Sequence, residues 1–339
     1  MALVGTINAP NDFGLKNRII NGAMVINQRG TVDTPITFND SVFTGDRFCS
    51  ACSQSSKATS TQSSTAPTGF SYSALITSSS AYSVLAGDFF NIFQNIEGFN
   101  TADLAWGTAS ASSITLSFWV RSSLTGTFGG SLTNSGLDRS YPFTYTINSA
   151  NTFEQKTITI AGDTTGTWVG ATNGIGIRVY FGLGVGSTYS GTAGAWAATR
   201  YQSATGATSV VGTSGATFYI TGVQLEKGST ATSFDYRPYG TELALCQRYY
   251  YRFTKSLGLS YTNSTPLDRV QYPVTMRSTP TLDGSNNSYA VGGGAAGTVA
   301  VYNQTGAPLT ADAAYFYNSA SSWSVNNLTA VTAGLSSEL

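Results

Sequence analysis

Strict alternation of apolar and polar residues is the feature that most limits how this chain can fold. Ile114, Leu116, Phe118 and Val120 alternate with Ser113, Thr115, Ser117 and Trp119. Ile175, Ile177, Val179, Phe181 and Leu183 alternate with Gly176, Arg178, Tyr180 and Gly182. Successive side chains of a strand point to opposite faces, so a period of two sets one face on a core. Phe90, Ile92, Gln94 and Ile96 repeat the pattern more weakly, and residues 216–225 form a further strand that Gly222 is placed to bulge. Clusters of Ser, Thr, Gly and Asn at 53–69, 126–138 and 199–215 separate these runs. Many short strands with almost no helical pattern between them predict an all-β protein built on a two-sheet jelly-roll β-sandwich.

Only residues 242–250 have helical composition, with Leu243, Cys246, Gln247 and Tyr250 sharing a face; they predict a short helix or turn that closes the sandwich. Residues 271–276, 299–302 and 314–317 are extended candidates, with a loop at 292–297 between them. The expected organisation is an arm over 1–17, a jelly roll over 18–245 and a smaller C-terminal β domain over 246–339.

Chemistry is restricted by what the chain lacks. It has no histidine, so Ser-His and Cys-His nucleophiles are excluded. Cys49-x-x-Cys52 has no second pair or histidine to complete a zinc site, and with Cys246 it makes too few cysteines for a disulfide scaffold. All three are expected as reduced thiols. Charged residues are 10% of the chain and balance at 17 basic and 17 acidic, which leaves no electrostatic footprint for nucleic acid or an anionic membrane. Such a neutral surface suits uncharged glycans and long contacts between identical chains. Residues 1–10 lack the pattern of a signal peptide, and no run of about 18 apolar residues predicts membrane insertion. Paired carboxylates, as in glycosidases, are the remaining catalytic possibility. Glu97, Asp103, Asp163 and Glu226 are the best placed but scattered, and the chain is expected to be no enzyme.

Several segments resemble bacteriophage tail-fibre and virion structural proteins with a carbohydrate-binding-module-like jelly roll. They are Asn17-Arg18-Ile19-Ile20-Asn21-Gly22 with Ile26-Asn27-Gln28-Arg29-Gly30, Asp46-Arg47-Phe48, Ile96-Glu97-Gly98 and Leu116-Ser117-Phe118-Trp119-Val120-Arg121. The most specific block is Thr221-Gly222-Val223-Gln224-Leu225-Glu226-Lys227-Gly228 with Ala231-Thr232-Ser233-Phe234-Asp235-Tyr236-Arg237-Pro238. It runs into Glu242-Leu243 and Leu245-Cys246-Gln247-Arg248-Tyr249-Tyr250, and Tyr272-Pro273-Val274 with Met276-Arg277-Ser278-Thr279-Pro280 opens the smaller domain. The resemblance covers roughly residues 17–282.

It implies a virion protein assembled in the bacterial cytoplasm, joined to other phage proteins through its N-terminal arm. As a tail fibre or adhesin it would contact a host polysaccharide or lipopolysaccharide. A homotrimer is expected both from the likeness to fibres and from Trp119 and Tyr180, which face away from their strands' cores and need cover. The alternatives are a capsid decoration, head fibre or baseplate component without receptor binding, and a glycan-cleaving tailspike. Related sugar-binding jelly rolls hold calcium with acidic residues where this chain has Ala23 and Thr221-Gly222, so no cofactor is expected.

Candidate glycan contacts are the aromatic residues and their polar neighbours. Trp106, Trp168 and Trp196 sit in loops, where each ring either stacks on a sugar or plugs the end of the sandwich. Arg178 and Tyr180 serve a glycan or a subunit interface equally well. Tyr302, Tyr315 and Trp323 lie in a stretch from 283 onward that is rich in Ser, Asn, Gly, Ala and Tyr and free of Lys and Arg, a mixture also found in antibody paratopes. Asp46 with Arg47, and Glu226 with Arg237, are expected as structural pairs, and Glu97 as a buried hydrogen-bond anchor.

Overall fold

The computed structural model describes residues 16–30, 34–36, 42–257, 268–291, 299–301, 313–318 and 329–338. The first part is built from β1 (Thr34–Pro35), β2 (Val42–Gly45), β3 (Phe48–Cys52), β4 (Ala58–Ser63), β5 (Ser73–Ser78), β6 (Phe89–Glu97) and β7 (Ile114–Ser122). It continues through β8 (Gly126–Thr133), β9 (Ser140–Ile147), β10 (Glu154–Ile160), β11 (Ile175–Val185), β12 (Ser190–Gly191), β13 (Ser203–Ala204) and β14 (Thr217–Lys227). Two antiparallel sheets result: a first ordered β1-β4-β5-β14-β7-β10, and a second ordered β2-β3-β6-β11-β8-β9. They face each other as the jelly-roll β-sandwich that the alternation predicts.

The inward positions carry the core. Ile114, Leu116, Phe118 and Val120 of β7 meet Ile177, Val179, Phe181 and Leu183 of β11 in one buried cluster with Phe90, Ile92, Phe128 and Phe143. Burying each such side chain is worth about 1.5–3 kcal/mol against leaving it in water. Strand β14 shows why the period is not perfect. Phe218 and Ile220 point inward before Gly222, and Val223 and Leu225 after it, so the parity changes by one residue. The pairing with β7 shifts register between Thr221 and Gln224, and Gly222 takes φ +60°. This is the predicted bulge.

Asn17, the last residue of the expected arm, is buried against the sandwich, and residues 1–15 lie outside the described ones. Asn17 Oδ1 accepts from Ile19 N and Leu225 N, and its amide donates to Val223 O at 3.0 Å. Gly22 follows at backbone contact with β14: a Cβ there would lie 2.1 Å from Val223 O.

Helix α1 (Tyr239–Gln247) occupies the predicted helical segment. Its buried residues are Glu242 and Cys246, not the whole face expected from Leu243, Cys246, Gln247 and Tyr250. The Glu242 carboxylate is drawn in by Arg237 and by the Asn21 N–H, and Tyr250 already opens the next strand. Beyond the helix come β15 (Tyr250–Leu257), β16 (Asp268–Gln271), β17 (Thr281–Val291), β18 (Val299–Val301), β19 (Ala313–Asn318) and β20 (Thr329–Ser336). They form two three-stranded sheets, β15-β20-β17 and β16-β19-β18. Of the expected extended run 271–276 only Gln271 is in a strand, because Pro273 has no N–H to offer a ladder. The expected loop at 292–297 lies outside the described residues. No helix among the described residues is long and apolar enough to cross a membrane.

The expected structural residues are structural, but two of the pairs are re-partnered. Asp46 and Arg47 are neighbours in the β2–β3 turn, where Arg47 takes φ +72° and the two side chains diverge. Asp46 faces Arg29 at 3.6 Å and accepts from Gln28, while Arg47 pairs with Glu338 and lies over the Tyr249 ring. Burial of Asp46 dominates and raises its pKa against those partners. Glu226 accepts from Thr232 N and Oγ1, and Arg237 turns to Glu242 and Asp235 instead. Glu97 is the anchor expected, accepting from Arg248 Nη2 and Nε and from Tyr249 Oη at 2.5, 3.0 and 2.6 Å. Burial works to raise its pKa, but these bonds prevail and hold it below the ordinary range.

Candidate functional site

The three tryptophans meet at one end of the sandwich. Trp106 lies 4.7 Å from Trp168 and 5.3 Å from Trp196, which are 5.4 Å from each other, and Tyr141 adds a fourth ring. Each indole N–H is already used: Trp106 donates to Ser112 O, Trp168 to Thr165 O and Trp196 to Ala161 O. Trp106 is buried, and the other two are half-buried against the core. A cavity of about 250 Å³ beside Trp106 and Trp168 is lined by Ala102, Ala105, Val169 and Ile177, with Thr101 as its hydroxyl, already donating to Gly98 O. The indoles therefore bring no free N–H to a sugar, which favours the packing role over the binding one.

Arg178 and Tyr180 come together on the outer face of the second sheet. The Tyr180 ring stacks on Phe93 of the neighbouring β6, with centroids 5.2 Å apart and planes tilted by 37°. Arg178 Nη1 reaches Tyr180 Oη at 3.5 Å, and Arg178 Nε is buried with no partner among the described residues. Tyr180 is 5% exposed, whereas Phe93 and Arg178 are half-buried. Polar groups flank the pair on both sides. The amides of Asn91 and Gln202 meet at 2.6 Å, and Arg200 lies over the Tyr189 ring at 4.9 Å. At the other side Arg47 Nη2 donates to Asn95 O at 2.6 Å. The result is an aromatic floor edged by amides and guanidinium groups.

Tyr180 and Trp119 were expected to need a subunit's cover. Tyr180 is covered as just described, whereas Trp119, above Gly222 on the first sheet, is half-buried. Tyr302 and Trp323 lie outside the described residues; Tyr315 lies on β19, opposite Arg269 in the ladder. The sequence reading missed Phe93. The available signal was an aromatic ring at a polar parity position of β6, two residues on from Asn91.

Each of the four best-placed acids is engaged by partners within the chain. Asp103 receives both Nη atoms of Arg18 at 2.8 Å, and Asp163 receives Arg139 Nε and Nη2 at 2.7 and 2.8 Å. Glu97 and Glu226 hold the partners given above. No group of three or more metal-ligating Cys, Asp or Glu side chains occurs among the described residues.

No family model matches the chain, and no curated protein matches it. Solved structures of similar fold include the enzymatically active domain of tailspike protein 4 from bacteriophage CBA120, at 12% identity and TM-score 0.31, over 62% of this chain and 21% of that one. A Bacteroides thetaiotaomicron protein described as sugar-binding gives 10% and 0.37, over 63% of this chain and 100% of that one. A family 11 carbohydrate-binding module from Clostridium thermocellum, in complex with a mixed-linked tetrasaccharide, gives 8% and 0.30, over 59% and 98%. At these identities and scores none of the three assigns a ligand to this chain.

Proposed function

We propose that this chain is a non-enzymatic structural protein of a bacteriophage particle, a tail fibre or adhesin that holds a host-surface glycan on the outer face of its second sheet. The observation that carries the reading is the Phe93–Tyr180 ring pair beside Arg178, whose buried Nε has no partner among the described residues. The half-buried Phe93 ring offers a flat apolar face and the half-buried Arg178 guanidinium offers donors beside it, which match the two faces of a sugar, its C–H surface and its hydroxyls. The charge-poor composition supports an uncharged partner. The internal pairing of Glu97, Asp103, Asp163 and Glu226 supports binding without cleavage. Residence in the virion, docking through residues 1–17 and assembly as a homotrimer belong to the same reading and rest on the sequence resemblance.

Two measurements test it. Antibody to this chain should label the tail of purified particles in electron micrographs; labelling of the head alone ends the tail-fibre reading. Arg178→Ala, confirmed folded, should bind susceptible host cells about tenfold more weakly, since a hydrogen bond to a charged group is worth about 1.5–3 kcal/mol. Absence of binding by the unmodified protein would leave only the structural role.

A further inference from the structure

A second aromatic site stands on the other sheet, built from segments that are far apart in sequence. Its foundation is the bulge of β14. A Cβ on Gly222 would meet Phe70 Cζ at 2.7 Å and Trp119 Cδ1 at 3.0 Å, so the missing side chain lets Phe70 down onto the sheet. Phe70, Phe234 and Tyr236 then pack on one another, with centroids 5.1, 5.5 and 4.8 Å apart. Tyr236 Oη donates to Gly69 O at 2.9 Å, which fixes its ring. These rings, residues 17–25 and the start of α1 enclose a cavity of about 270 Å³. Tyr236 is 58% exposed and Tyr239, also in the lining, 64%. With Tyr72 they are three of the five large apolar side chains exposed among the described residues, so the solvent-facing aromatic surface is concentrated here.

The polar groups of the recess are unequal. Arg237 is turned inward, donating to Asn17 O, Ile19 O and both Glu242 oxygens. Glu242 also takes the Asn21 N–H, so neither side chain is open to a ligand. Asp235 is different. Its Oδ2 faces Asn17 N at 3.4 Å and Arg237 at 3.7 Å, but Oδ1 makes no hydrogen bond among the described residues, and the side chain is 31% exposed. The Tyr239 hydroxyl is likewise without a partner there.

We propose that this recess binds one ring of a neutral sugar, separately from the site on the second sheet. The C–H face of the ring stacks on Tyr236 and Tyr239, and a hydroxyl donates to Asp235 Oδ1. An ionised carboxylate only accepts, so the ligand must bring donors. An open carboxylate in the recess disfavours uronates, sialates and phosphates there, although the Lys16 ammonium at Ser233 O lies nearby. The cavity is smaller than the ~300–1,000 Å³ of typical small-molecule sites, which suits a single ring with its neighbours in solvent.

Saturation-transfer NMR on the full chain tests this, with methyl glucoside, methyl mannoside, methyl galactoside, N-acetylglucosamine and glucuronate as probes. At least one neutral probe should receive transfer, and glucuronate should bind about tenfold more weakly. Tyr236→Ala with Tyr239→Ala should weaken the neutral probe at least tenfold, with only a small fall in thermal midpoint because both rings are more than half exposed. Asp235→Asn should weaken it severalfold and narrow the preference over glucuronate; this variant decides the matter if the double variant does not fold. In a Phe93→Ala background, which removes the second-sheet site, a neutral probe should still receive transfer, and adding the double variant should remove it. The proposal is overturned if no neutral probe binds, or if binding disappears with Phe93→Ala and survives the double variant, which would give all sugar contact to the second sheet. It is also overturned if the double variant dissociates an oligomer in light scattering, since the recess would then seat a second copy of the chain. Loss of host binding on Arg178→Ala would stand in any of these cases.

Discussion

The tryptophan cluster at the sandwich end and the ring cluster on the first sheet have almost the same internal geometry and opposite surroundings. Centroids are 4.7–5.4 Å apart in one and 4.8–5.5 Å in the other. In the first, every indole N–H ends on a backbone carbonyl and Trp106 is sealed in. In the second, Tyr236 and Tyr239 face water beside a carboxylate oxygen that accepts no hydrogen bond among the described residues. Closeness of rings is thus no mark of a binding site. Exposure together with unused hydrogen-bonding capacity is what separates a recognition surface from a plug.

The widest test is Trp106→Ala. Removing a buried indole from a packed end should cost about 3–5 kcal/mol in urea unfolding, as large aromatic truncations in cores do. Near-normal stability with lost sugar binding would reverse the comparison.

Next is the loop that carries Trp168. Asp163 pins it by accepting from Arg139 and from Thr165 N and Oγ1. Burial alone would raise the Asp163 pKa; those bonds outweigh it and hold the group below the usual carboxylate range. A lowered carboxylate pKa adds stability above the unfolded value, which is lost as pH falls through the folded one. Asp163→Asn should therefore cost about 2 kcal/mol at neutral pH, the scale of hydrogen bonds to a charged group. It should also flatten the stability curve below about pH 4, the ordinary aspartate range. Parallel curves for the two proteins would mean that the carboxylate charge does not hold the plug.

The recess should respond far less. Tyr236→Phe removes one partly solvated hydrogen bond and should cost about 0.5 kcal/mol. Tyr239→Ala should stay within about 0.5 kcal/mol of the parent, as exposed substitutions do. A loss of several kcal/mol from either, in the same unfolding assay, would make the recess a second plug.

What could be read from the sequence follows the range of each interaction. Alternation along β7 and β11 is local, so both strands and their inward faces were legible. The parity change across Gly222 was legible for the same reason. Ion pairs are set by the fold: Asp46 and Arg47 are adjacent, yet their partners are Arg29 and Glu338, the latter 291 residues from Arg47. The recess was invisible because it joins residues 17–25, 69–71 and 234–242, and no one of these segments carries a signal alone. The three tryptophans were found, but whether they plug or bind depends on carbonyls at 112, 161 and 165 that sequence spacing cannot place.

The contact between Arg47 and Glu338 also sets an order of events in time. Translation at about 5–20 residues per second puts Glu338 roughly 15–60 s behind Arg47. The sandwich can close once β14 is complete at Lys227, and from then until Glu338 follows it holds the Arg47 guanidinium, 3% exposed in the finished protein, without its carboxylate. Tyr249, whose ring it covers, arrives earlier and shields it only in part. A chain released before its last residues would thus retain a cation in a dry site, where an unpaired charge costs several kcal/mol. Chains that stop before Glu338 should be the first to unfold and be cleared.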